Sequence, residues 1–230
     1  MGVFDTAYYT KYLQAKDKIK QIRSLVESDP NLNCNSVLDE LESYLDSVTD
    51  SLIDACSSAY KTATDLVQCI AKEFDGIDVQ SELLKKAQDL LTSGSPVSNL
   101  DKLNSKLQEI SEANNPCDAL NSNSEYLNSL IEEIGNIASK LSSVLGGVKD
   151  LISDIINVIK EVSNFLNCLS AVQQDALSAS SIFNESAHQI YQETLNVPKD
   201  VKDKASYVVN KTLSPKEKFQ DYLNDLQEIV

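Results

Sequence analysis

His188 is the one histidine of the chain, and Glu185 and Tyr191 stand one helical turn away on either side of it. A general base with a carboxylate to orient it has this spacing. An ordinary helix surface has it too. No glycine-rich phosphate loop, nucleophile elbow or HExxH run accompanies it. The stretch DGIDVQSE, Asp75 to Glu82, lacks the spaced carboxylates ahead of the glycine that an EF-hand loop needs. Acidic pairs such as Glu132-Glu133 read as a solvated face. The expectation is a protein without catalysis, metal or cofactor, and His188→Ala is the test of the best enzymatic alternative.

Five cysteines remain: Cys34, Cys56, Cys69, Cys117 and Cys168. None forms a CxxC pair, and a single imidazole argues against structural zinc. In a secreted protein, two disulfides and one free thiol is the simplest arrangement; in a reduced compartment, all five would serve as small apolar residues. Cys56 and Cys69 fall on one predicted helix, too far apart along it to bond each other, so each seeks another segment, with Cys117 and Cys168 the obvious candidates. The sequons at Asn184 and Asn210 tilt the choice towards secretion. The opening MGVFDTAYY carries no signal peptide and is compatible with a mature terminus preceded by an added initiator Met.

The elements that must position these residues are helical. With 6 glycines and 5 prolines in 230 residues, the chain has too few turn-formers for an all-β fold. Apolar residues in a three-four rhythm mark a helix over Val3–Glu27 (Tyr8, Tyr12, Ala15, Ile19, Ile22, Val26) and a longer one over Ser36–Phe74 (Leu38 through Cys69). Shorter helices are expected at Val79–Thr92 and Asn99–Ala113, separated by SGSPVS as a loop. The rhythm then runs unbroken from Leu127 to Phe183 and crosses Gly146-Gly147 without losing phase. A tight hairpin has no reason to keep that phase, whereas a straight helix must. Continuity or a kink is therefore favoured over a turn, although each glycine costs about 1 kcal/mol relative to alanine. After LNVPKD, short helices are expected at Lys199–Thr212 and from Ser214 to Val230. The predicted fold is all-α: an elongated, disulfide-supported bundle of six to eight helices with two long amphipathic ones. It is read as a single domain over 1–230, with 1–113 and 117–230 as potential sub-bundles.

A formal net charge of −15 excludes a basic nucleic-acid stripe and disfavours anionic membrane surfaces. No apolar run reaches the roughly 20 residues of a spanning helix, so no integral membrane insertion is expected. The segment from Ile134 to Val162 has a strong apolar face, but Lys149, Asp150, Asp154, Lys160 and Glu161 balance in charge. Membrane-seeking helices instead carry a cationic face. The face suits core packing. It also suits an apolar-ligand lining made by Ile134, Ile137, Leu141, Val144, Val148, Leu151, Ile155, Val158, Val162 and Phe165.

Long helices bearing single cysteines (LNCNSVLDELESYL, DACSSAYKTATDLVQC, SNFLNCLSAV), with Asn- and Ser-rich faces and scattered sequons, resemble small secreted helical proteins of insects, of the salivary, gut or haemolymph type. The resemblance lies in texture along the whole chain and carries no functional residue with it. It implies an extracellular, non-enzymatic binder acting on host proteins or lipids. The odd fifth cysteine departs from a fully paired framework. Three functions follow as expectations: a secreted binder of an extracellular protein through helical surfaces, a carrier of lipid or another apolar small molecule between helices, and a structural protein that self-associates through the Leu127–Phe183 seam.

Overall fold

The computed structural model describes residues 5–70, 79–180, 217–218 and 220–229. Side chains are described to Asp65 in the second helix and to Asp154, with Ile156 and Asn157, in the fifth. Every element among these residues is helical: α1 (Ala7–Ser28), α2 (Asn35–Ile70), α3 (Val79–Thr92), α4 (Ser95–Ser111) and α5 (Pro116–Ser180). The class is all-α as expected, and five helices are bounded among the described residues, against the six to eight expected for the chain. The expected helix at Lys199–Thr212 lies outside the described residues, and residues 220–227 near the C-terminus are helical.

Local chemistry sets the helix ends. Thr6 caps α1 by accepting the Tyr9 amide at 3.3 Å. Asp29, just before Pro30, ends α1 in extended backbone, and its carboxylate accepts the Asn31 amide at 2.9 Å. Asn115 caps α5 through the Asp118 amide at 3.1 Å and donates back to the Asp118 carboxylate at 2.8 Å. SGSPVS is not the full loop expected from its composition. Gly94 is the cap, and Ser95-Pro96-Val97-Ser98 already form the first turn of α4. Proline fits there because its missing N–H would have no intrahelical partner in that turn anyway.

Four helices close a ring of contacts. α1 and α2 run antiparallel along a polar ladder from Tyr8–Thr49 to Arg23–Asp39. α4 lies parallel to α1, with Lys11 against Asp101 and Lys18 against Gln108. α5 lies antiparallel to α4, where Asn99 reaches Leu130 and Glu133. α2 and α5 are parallel, joined at Cys34–Cys117 and in contact where Val48 faces Gly135. α3 touches α1 and α4, and its Ala87 carbonyl accepts the Cys56 thiol at 3.8 Å.

The predicted seams are the core. Tyr8, Ala15, Ile19, Ile22 and Val26 of α1 are buried, and so are Leu38 through Thr62 at the predicted α2 positions. Tyr12 is only half-buried, because its hydroxyl reaches the Asp46 carboxylate at the edge of the α1–α2 ladder. In α5 the buried set is wider than the predicted stripe: Ile131, Ala138, Leu145 and Ile152 join Leu127, Leu130, Ile134 and Leu141. A two-position seam suits one partner helix, whereas a third buried position per heptad means neighbours on more than one side.

The chain divides into two compact units, 1–68 with 78–147 and 222–230, and 69–77 with 148–221. The expected division at 113–117 is not where it falls, since the disulfide and the Val48–Gly135 contact tie the start of α5 to α2. The boundary instead falls at Gly147, inside α5, which runs through Gly146-Gly147 without a turn. The two glycines differ. A Cβ at Gly146 meets nothing within 4 Å, whereas one at Gly147 would stand 2.5 Å from the Tyr222 ring. Gly146→Ala is expected to stabilise the protein by up to ~1 kcal/mol through helix propensity. Gly147→Ala is expected to destabilise it, and urea melts of the pair read both signs. Cys34→Ser opens a link between residues 83 apart in sequence and is expected to cost about 2–5 kcal/mol on the same assay.

Candidate functional site

Six of the ten residues expected to line an apolar site on α5 have described side chains. Ile134, Leu141 and Val148 are fully buried, and Ile137, Val144 and Leu151 are at most 9% exposed. Ile155, Val158, Val162 and Phe165 lie outside the described side chains. Within the first unit, Ile134 to Val144 therefore face a packed interior. Side chains that line the core of one chain are not on offer to a second copy, so this stretch of the seam is already used.

The cysteines resolve differently from the expected pairing. Cys117 bonds Cys34 (S–S 2.07 Å), leaving neither Cys56 nor Cys69 a partner there. The reason is topological: parallel α2 and α5 bring their N-terminal ends together, and Cys34 and Cys117 stand at those ends. Cys56 is free and buried. Burial pushes its thiol up to about 12, because a thiolate there would lose its hydration. The side chains of Cys69 and Cys168 lie outside the described residues, as do His188, Asn184 and Asn210.

The polar organisation that sequence reasoning missed is the α1–α2 ladder. Lys16 Nζ sits 2.7 Å from Asp46 and 3.2 Å from Glu42. Arg23 divides its guanidinium between Asp39 at 2.7 Å and Glu42 at 3.0 Å. Tyr12 donates its hydroxyl to Asp46 at 2.7 Å. Burial, then the Asp46 carboxylate, push the Tyr12 phenol up to about 12. Burial works against the Lys16 ammonium, but its bonds to Asp46 and Glu42 outweigh that and raise its pKa. Half-exposed pairs of this kind are worth about 0–1 kcal/mol each. Their chemistry is registration: they fix which turn of α1 faces which turn of α2. Deeper in the bundle, the Tyr8 hydroxyl meets Thr49 at 2.9 Å, and Asn104 donates to the Lys11 carbonyl at 3.0 Å. The signal in sequence was the run of acids at Asp39, Glu42 and Asp46, spaced three and four apart on one edge of α2.

Among the described residues no group of three metal-ligating side chains converges, and no helix is long and apolar enough to cross a membrane. The geometry holds cations and hydroxyls in fixed pairs and keeps the one described free thiol neutral. Cys56 is therefore expected to resist iodoacetamide at pH 8 in the native protein and to react fully in urea, read at the Cys56 peptide by mass spectrometry. Its raised pKa contributes stability below the unfolded value of about 8.5. That contribution falls as pH rises from there towards 12.

No family model matches this sequence, and no significant match exists among curated proteins or solved structures.

Proposed function

We propose that this protein is a secreted, non-enzymatic binding protein that acts through its outer helical faces on an extracellular protein partner. The observation that carries the reading is where the apolar surface goes. The inward stripe of α5 from Ile134 to Val144 is consumed by the protein's own core, which leaves the outer faces for recognition. Those faces present Tyr44, Tyr60 and Tyr126, at 36%, 45% and 43% exposure, among charged side chains. Tyrosine offers wide contact area at little entropic cost, and protein interfaces are enriched in it. Lys106 already lies 5.9 Å over the Tyr126 ring, an arrangement that stiffens both side chains.

Secretion is supported by the Cys34–Cys117 bond. Disulfides persist in oxidising compartments and are rare in reduced ones. The sequons at Asn184 and Asn210 fit the same compartment. A lipid carrier would need the Ile134–Val144 stripe to open, and a self-associating rod would need it to face another copy.

Native mass spectrometry of protein from a eukaryotic secretory host tests the reading first. The expected result is protein free of apolar ligand, lighter by at least the two hydrogens of Cys34–Cys117. Lipid released on denaturation would overturn it in favour of a carrier. Photo-cross-linkers at Tyr44, Tyr60 and Tyr126 are then expected to capture a defined extracellular protein, and one at Leu141 is not.

A further inference from the structure

We draw no further inference here: the strongest candidate, the adjoining N-terminal ends of α2 and α5 at the Cys34–Cys117 bond, where two parallel helix dipoles would favour an anion, rests on helix N-termini alone, and the unpartnered side-chain atom beside them, Asn35 Oδ1, is an acceptor that offers an anion no proton.

Discussion

The parallel pairing of α2 with α5 is the constraint from which the rest of the described bundle follows. The Cys34–Cys117 bond fixes its start, and Val48 against Gly135 fixes it again further along. Parallel neighbours cannot be joined by a short turn, so α3 and α4 have to be threaded between them in sequence. α4 then lies beside α1, and the two antiparallel hairpins, α1 with α2 and α4 with α5, stand side by side. Gly135 marks where the two helices meet: a Cβ there would stand 3.4 Å from Val48, an ordinary contact that does not demand glycine. The disulfide adds to this pairing by removing loop-closure entropy from the unfolded chain.

Unequal helix lengths are the second consequence. α1 has 22 residues and α4 has 17, against 36 for α2 and 65 for α5. The longer pair must outrun the shorter pair, and its apolar faces then need other cover. α3 supplies some of it, as the Cys56 thiol on the Ala87 carbonyl shows. The C-terminal segment supplies more, keyed by the Tyr222 ring on Gly147. Small residues concentrate where this happens. Ala55, Ala59 and Ala63 let backbones approach closely, and Gly147 leaves room for an aromatic ring at the place where larger residues would push the cover away.

The electrostatics divide by depth. The α1–α2 ladder is half-exposed and polar, and its energetic worth is modest beside that of the core under it. It ties Tyr12 and Lys16 of α1 to the same Asp46 of α2. The buried polar side chains among the described residues are neutral, and include Tyr8 on Thr49, Asn99 on Leu130 and Glu133, Asn104 on the Lys11 carbonyl, and Cys56 kept protonated by burial.

By itself the sequence determined the local structure. Its three-four apolar rhythm marked the buried faces of α1, α2, α4 and the described part of α5, because helical periodicity follows from backbone geometry alone. Unbroken phase across Gly146-Gly147 was enough to favour a helix that continues there. Composition misread SGSPVS, since the residues that make a loop also begin a helix. Long-range pairing was beyond it. That Cys117 meets Cys34, that Asp46 serves both Tyr12 and Lys16, and that Gly147 differs from Gly146 all depend on which helices become neighbours. The lining expected on α5 was legible as an apolar face, but whether that face lines a ligand site or fills a core is set by what packs on it. Periodicity says which side of a helix turns inward; only the tertiary structure decides what it meets there.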